Sequence, residues 1–387
     1  MLITLHIDID SFFIAVERLE ISDFKGIPLL IGGISSRGVV ASCSYEARAY
    51  GVRSAMPMRV AKRLCPVGLV IRGDMDRYTN YSRMIGDVLS EYVPAFERAS
   101  IDEFYVDLSG ASDYVRNFGA WGTEVRKRVY RETGLPISMG LSSNKTVSKI
   151  ATGQSKPSGQ LFINPNSTKE FLASLSIKHI PSVGSQTYQT LRNMGIEEIR
   201  SLQQVSPDLL MSVLGKKLGY SIWQKAQGID YSPVVPYSEQ KSFSTEVTFT
   251  EDTIDVHFLE ASITSMTEQL AFKLRNEQQL TSCVTVKIRY SDYQTYTKQR
   301  HIGYASATHT LLAVVKALFY SLYDRRVLVR HVGVKFSHLV HGNYQIHLFE
   351  DTVERVSLYQ SMDAINRKYG ADAIGSAKAL GVKRYIK

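Results

Sequence analysis

Two aspartates close the apolar run in "LHIDIDSFF", Asp8 and Asp10, and a second acidic pair, Asp102 and Glu103, interrupts "SIDEFYVDLSG". Acids flanked by strand-forming apolar residues are costly unless solvated, paired or bound to a metal. Neighbouring side chains of a regular strand point to opposite faces, so Asp102 and Glu103 can serve one site only where the strand turns or bulges. Asp8, at the end of another strand, offers a third carboxylate. Three carboxylates from two adjacent strands suit Mg²⁺, which takes oxygen ligands and leaves room for substrate phosphates. Two such ions about 4 Å apart activate an attacking oxygen and stabilise a leaving one. Hairpin-tip acids solvated by water are the alternative these residues leave open. Two cationic stretches bear on the choice. In "YEARAYG", Tyr45 and Arg48 fall three apart, on one helical face. In "SKPSG", Lys156 sits in a loop just after a helix. Arg meets phosphate as a planar fork and Lys as a point charge. Together they can hold a triphosphate against metals; singly, each reads as a surface residue.

The elements that must position these groups are legible in pattern. Residues 2–9 alternate, with Ile3, Leu5, Ile7 and Ile9 on one face and Thr4, His6 and Asp8 on the other, which predicts a strand. Asp10 is expected to cap the helix "SFFIAVERLE". "IPLLIG" is a buried strand, and "GVVASCSYEARAYGV" is a strand and a short helix ended at Gly51. A helix spans 82–93, and 96–110 gives two short strands meeting near Asp102 and Glu103. A helix stopped by Gly134, the strand "PISMGLSS" and a helix ending before Pro157 complete an alternating β and α segment. Ser167 with Glu170 predicts a capping box, followed by short helices to about Gly228 and a Pro-rich linker over 230–240. Beyond it the order is strand (242–249), helix (255–279), strand (283–290), strand (295–302), helix (307–323), strand (330–337). That βαββαβ order forms a four-stranded sheet backed by two helices. Val284, Val286 and Ile288 would face the helices; Thr285, Lys287 and Arg289 would face outward, as a nucleic-acid surface or an ordinary solvated face.

Composition sets the class. The chain has 387 residues, 44% hydrophobic and 21% charged, with a formal net charge of +9. Such a length favours several domains, and a basic balance is compatible with a polyanionic partner. Cys43, Cys65 and Cys283 form no CxxC pair, so a reducing compartment and no structural zinc are expected. No run approaches the roughly 18 apolar residues of a membrane helix. The N-terminus reaches its acids too soon for a signal peptide, so a cytoplasmic protein without membrane attachment is expected.

Four stretches, "HIDIDSFFIAVE", "GVVASCSYEARAYGVRSAMP", "SIDEFYVDLSG" and "GLSSNKTVSKIATGQSKPSG", lie in the order and spacing of the Y-family DNA polymerases. Over residues 1 to about 345 the chain resembles that family, in its DNA polymerase IV type. The resemblance implies an α+β, multidomain right-hand polymerase: a ferredoxin-like palm (1–11 and 75–166), small fingers (12–74) and a helical thumb (167–233). A linker (234–240), a βαββαβ little finger (241–343) and a tail (344–387) follow. It implies a low-fidelity, template-directed enzyme that adds deoxynucleoside triphosphates to a primer in translesion synthesis and repair, as a monomer, without proofreading. It implies two Mg²⁺ ions on Asp8, Asp102, Glu103 and the Ile9 carbonyl, with these acids catalytic. Tyr45, Arg48 and Lys156 would hold the triphosphate, and Phe13 would be the steric gate against a 2′-hydroxyl. Phe12 lies at the same pocket and is the choice for plain core. Cys43, Ser44, Phe104 and Ser148 depart from the family pattern, the first two near where the family meets the nascent base pair.

"IPSVGSQTYQTLRNMGI" resembles a helix-hairpin-helix, with a tight turn at Gly184 presenting backbone N–H groups to a DNA phosphate, or else it is an ordinary helical turn. Arg325, Arg326, Arg330 and Lys335 are candidate phosphate contacts on primer-template DNA. Gln345, Leu348 and Phe349 fit the peptide that docks on the bacterial sliding clamp, or one more strand. In the tail, Val353, Val356, Leu358, Met362 and Ile365 predict a partly amphipathic helix that packs on the little finger or binds a partner. A nucleotide cyclase also uses two metals on a similar hairpin, but the segments after residue 167 argue against one. The retained acids argue against a non-catalytic DNA-binding scaffold. A polymerase that needs accessory subunits stays open.

Overall fold

Strand β1, Thr4–Ile9, is the centre of a five-stranded sheet ordered β5-β6-β1-β7-β8, with β5 Phe96–Arg98, β6 Glu103–Asp107, β7 Ile137–Ser142 and β8 Gln160–Phe162. β1 runs antiparallel to both neighbours, β6 and β7. Leu5, Ile7 and Ile9 join Phe104, Val106, Met139 and Leu141 in the main core, with the helices Met75–Ser90 and Phe118–Thr133 supplying Ile85, Leu89, Val125 and Val129. The opposite face of β1 is buried as well. The helix Lys145–Ser155 covers it. Gly140 of β7 permits that contact: a Cβ there would stand 2.2 Å from the Ser148 carbonyl oxygen and 2.5 Å from the Thr152 nitrogen. The alternation of β1 is real, but both faces meet protein.

The structure, a computed structural model, describes residues 3–35, 37–93, 95–111, 116–342, 353–370 and 373–379. They fall into two units, Met1–Ser238 and Glu239–Lys387. In the first unit a small sheet ordered β3-β2-β4 (β2 Leu29–Gly32, β3 Val40–Cys43, β4 Leu69–Ile71) carries the helices Tyr45–Ala49 and Met58–Leu64. Helices from Thr168–Ala173 to Lys216–Ala226 share a third core with Val147, Ile150 and Ala151. The capping box expected at Ser167 is absent: its hydroxyl donates to the Asn164 carbonyl, leaving the helix start without a side-chain cap. Gly134 stops its helix in the left-handed region (φ 72°), as read from sequence.

The second unit is a four-stranded antiparallel sheet ordered β11-β10-β12-β9, with β9 Ser242–Thr253, β10 Gln279–Tyr290, β11 Thr295–Ala305 and β12 Val329–His341. Val284, Val286 and Ile288 are buried under the helices Val256–Asn276 and Thr308–Leu322, while Thr285, Lys287 and Arg289 stay partly exposed on the other face. The tail helix Val353–Tyr369 docks on the helix layer, with two positions of the expected apolar stripe left in solvent. Leu358 is 57% exposed and Ile365 39%, whereas Asp363 and Asn366 are buried. Asp363 accepts two hydrogen bonds from Arg275, at 2.7 and 2.8 Å. The side chains of Val353 and Val356 lie outside the described residues.

Candidate active site

β1 and β6 are in register such that Asp8 stands opposite Glu103. Opposed residues of an antiparallel pair share a face, so both carboxylates project to one side. Asp102 lies in the turn just before β6, where its backbone carbonyl accepts from the Ile9 nitrogen at 3.0 Å. Because it is outside the regular strand, it escapes alternation and borders the same cleft as Asp8. That cleft is lined by Asp8, Ile9, Phe12, Phe13, Arg48, Asp102 and Lys156, with Ser11 and residues of the small sheet.

Each carboxylate is turned onto a protein partner. Asp8, only 8% exposed, is ion-paired with the Lys156 ammonium. Burial pushes its carboxyl up to about 6; Lys156 opposes this, and the charges of Asp102 and Glu103 add to it. Asp102 accepts from the Ser100 hydroxyl at 2.6 Å. Glu103 accepts from Lys149 Nζ through both oxygens, at 2.6 and 2.5 Å. His6 and Lys149 together hold the Glu103 carboxyl down at about 2 against burial. His6 Nε2 lies 3.9 Å from Glu103, beyond hydrogen-bond length, and burial pushes its imidazole below the usual range. Lys149 is therefore the contact that keeps Glu103 ionised.

The donor set is all oxygen, from β1, from β6 and from the turn before it; burial pushes Asp8 toward protonation, and ammonium groups hold Asp8 and Glu103. Such a set fits hard divalent cations, whose charge would replace those ammonium contacts. Among the described residues, no three His, Cys, Asp or Glu side chains are gathered into a ready-made metal cage.

The remaining sequence candidates fall around this centre. Arg48 sits over the Tyr45 ring at 5.3 Å, and its buried Nε has no protein partner. Tyr45 is 41% exposed and does not line the cleft. Arg18 joins the two helices involved, donating to Glu46 at 2.8 Å from the helix that carries Phe13. Phe12 is core; Phe13 is half-buried and stacks on Tyr78 at 4.2 Å, 12° from parallel. Asp10 does not cap a helix. Its buried carboxylate accepts from Ser138 Oγ at 2.9 Å and from the Ser158 nitrogen at 2.6 Å. It thus ties the end of β1 to the loop that carries Lys156. The residue that precedes the helix is Ser11, left-handed at φ 46°, with a buried hydroxyl lacking a protein partner. A strained residue with an orphaned hydroxyl facing a cleft is a mark of a ligand site.

Sequence reading passed over Lys149, Tyr78, His6 and Ser11. The spacing of Lys149, seven before Lys156 and so on a similar helical face, was the one signal available for it. Three of the departures from the family pattern face away from the cleft. Cys43 and Phe104 are fully buried, and Ser44 caps the Tyr45–Ala49 helix by accepting from Ala47 N at 3.3 Å.

Gly184 precedes the helix Ser185–Asn193 but is not itself in a tight-turn conformation (φ −82°); the left-handed residue is Ser182 (φ 82°). In the second unit, Arg325 is held by Asp292 at 2.7 Å and lies over Tyr290 and Tyr296. Arg330 is 3.7 Å from Asp252, while Arg326 and Lys335 are exposed. Gln345, Leu348 and Phe349 lie outside the described residues.

Comparison with known proteins agrees with this architecture. Residues 7–153 match the model of the impB/mucB/samB family, 240–348 its C-terminal domain, and 178–230 the thumb domain of DNA polymerase-iota. The chain is 34% identical to a DNA polymerase IV of Dehalococcoides mccartyi, over 98% of both chains. It is 31% identical to one of Treponema denticola, over 97% of this chain and 96% of the relative. It is 34% identical to one of Listeria monocytogenes, over 87% and 94%. A solved Y-family DNA polymerase chimera superposes with a TM-score of 0.79 at 26% identity, covering 88% of this chain and all of the chimera. No described helix is long and apolar enough to cross a membrane. Sheet, cleft and relatives agree: the chain belongs to the Y family of DNA polymerases, in its DNA polymerase IV type, and is a DNA-directed DNA polymerase.

Proposed function

We propose that the chain extends primers opposite damaged as well as intact template bases, with low fidelity and without proofreading, in translesion synthesis and repair. The observation that supports this most is one cleft lined by Asp8, Asp102, Phe13, Arg48 and Lys156 together. Asp8, Asp102, Glu103 and the Ile9 carbonyl would hold two Mg²⁺ ions, which when bound supply charge for phosphoryl transfer and lower the pKa of the attacking hydroxyl. The protein's own share is positioning and charge. Arg48, with its unpartnered Nε, and Lys156 would take the triphosphate, with Tyr45 fixing the plane of the Arg48 guanidinium. Phe13, braced by Tyr78, would lie beside the sugar and leave no room for a 2′-hydroxyl.

The palm, fingers, thumb and little-finger boundaries read from sequence belong to the same proposal. So do DNA contacts by the 182–185 turn and by Arg325, Arg326, Arg330 and Lys335, and sliding-clamp docking through Gln345, Leu348 and Phe349. Primer extension with Mg²⁺ on a plain and an abasic template tests the reading. Extension past the abasic site is expected; arrest there with extension of the plain template would remove the translesion role. Deleting 345–349 should remove stimulation by the bacterial clamp and leave basal extension; surviving stimulation would remove the peptide.

A further inference from the structure

The Lys145–Ser155 helix carries Lys149 to Glu103, and its start is held by the segment that leads out of the first unit. Asn144 caps the helix by accepting from Val147 N at 3.0 Å, and its amide donates to the Gly228 carbonyl at 2.8 Å. Asp230 then accepts from Thr146 N at 3.1 Å and from the Thr146 hydroxyl at 2.7 Å. Its other oxygen accepts from Ser232 N at 2.9 Å. Burial raises the Asp230 carboxyl, but these bonds from Ser232 and Thr146 outweigh it, so the group stays ionised at the positive end of the helix. A second tie lies beside the first. Glu97 of β5 accepts from Lys145 Nζ at 2.5 Å and from Val235 N at 2.6 Å. The stretch 228–235, which runs into the segment read as linker, is therefore pinned at three points, two on the start of this helix and one on β5.

Neither Asp230 nor Glu97 lines the cleft. The geometry nonetheless gives Asp230 a route to the chemistry. The helix is one rigid piece, and Lys149 stands one turn beyond Thr146. Lys156, by contrast, follows the helix end in a loop that Asp10 holds independently through Ser158. Movement at the helix start should therefore disturb the Lys149–Glu103 contact more than the Lys156 site.

We propose that Asp230 is a positioning residue for polymerisation: by gripping Thr146 from the connecting segment, it sets the placement of Lys149 against Glu103. This rests on the polymerase reading above and adds a residue to it. The test is steady-state primer extension by the full chain, wild type, D230A, D230N and T146V, each also in a K149A background, with thermal melting alongside. Asp230→Ala should lower kcat by about tenfold and leave the KM for the deoxynucleotide within about twofold. Asp230→Asn, which keeps an acceptor, should recover most of the loss. Thr146→Val, which removes only the hydroxyl, should give a smaller fall of the same kind. In the K149A background, D230A should cost little more, because both act on one contact. Chymotrypsin should cut D230A faster than wild type at Tyr231. A kcat for D230A and T146V within twofold of wild type overturns the proposal, as does an equal fall in both backgrounds. If the wild type itself extends no primer, the polymerase reading fails and takes the proposal with it.

Discussion

Lys149 Nζ reaches both carboxylate oxygens of Glu103, at 2.6 and 2.5 Å. The contact does two things at once. It keeps Glu103 ionised in a partly buried place, and it sets the rotamer in which Glu103 waits. Removing the ammonium leaves a carboxylate beside His6 with no strong donor. Lys149→Ala should therefore lower kcat, by one to two orders of magnitude, with little change in the KM for the deoxynucleotide. Lys149→Arg should restore part of the loss. A K149A enzyme with wild-type kcat would show that Lys149 only decorates the sheet.

Asp8 gives a prediction in the opposite sense for stability. Its folded carboxyl is raised from 3.8 to about 6, so the folded chain binds this proton more tightly than the unfolded chain. Stability from this group is fully present below pH 3.8 and is lost as pH rises to about 6. Asp8→Asn removes that penalty, which is at most about 3 kcal/mol. The variant should melt higher than wild type at pH 8 without divalent ions, with the advantage shrinking toward pH 4, while losing polymerase activity. Equal or lower melting at pH 8 would contradict burial as the cause of the shift.

Phe13 and Tyr78 form a stack that would carry the sugar filter in the function proposed above. Phe13→Ala should admit ribonucleotides, seen as a fall of tenfold or more in the ratio of deoxynucleotide to ribonucleotide kcat/KM. Tyr78→Ala should weaken discrimination by less, because Phe13 keeps its own packing. Its hydroxyl donates to Glu17 at 2.6 Å, so Tyr78→Phe isolates that bond from the stack and should leave discrimination unchanged. Unaltered discrimination in F13A would remove Phe13 from the site.

In the second unit the tail helix is held by a buried ion pair. Truncating one partner of such a pair strands the other charge, at a cost of about 3–5 kcal/mol. Asp363→Ala should release the helix, read as faster chymotryptic cleavage at Tyr359. It should leave basal primer extension within about twofold. Wild-type protease resistance in D363A would mean that the helix is held by other contacts.

These sites show which parts of the fold the chain announces. The acids at the end of β1, the turn at Asp102 and the stop at Gly134 are local features, and local pattern found them. The βαββαβ order was equally plain, because alternation in 283–290 and the two helical runs each carry a clear period. What escaped depends on partners distant in sequence. The burial of the face that carries His6 and Asp8 was not legible, because nothing near them in sequence shows that the Lys145–Ser155 helix will cover it. Asp10 read as a helix cap because caps are local, whereas its donors are Ser138 and Ser158. The tail helix read as partly amphipathic through an apolar stripe, whereas its buried Asp363 is completed by Arg275, far upstream.

The most direct test is single-nucleotide primer extension with Mg²⁺ by the wild-type chain beside Glu103→Ala, on one undamaged primer-template. Wild type should add the templated deoxynucleotide, and E103A should fall by at least three orders of magnitude while binding the same DNA. Extension by E103A at the wild-type rate would contradict the assignment of the cleft between Asp8 and Asp102 as the polymerase centre.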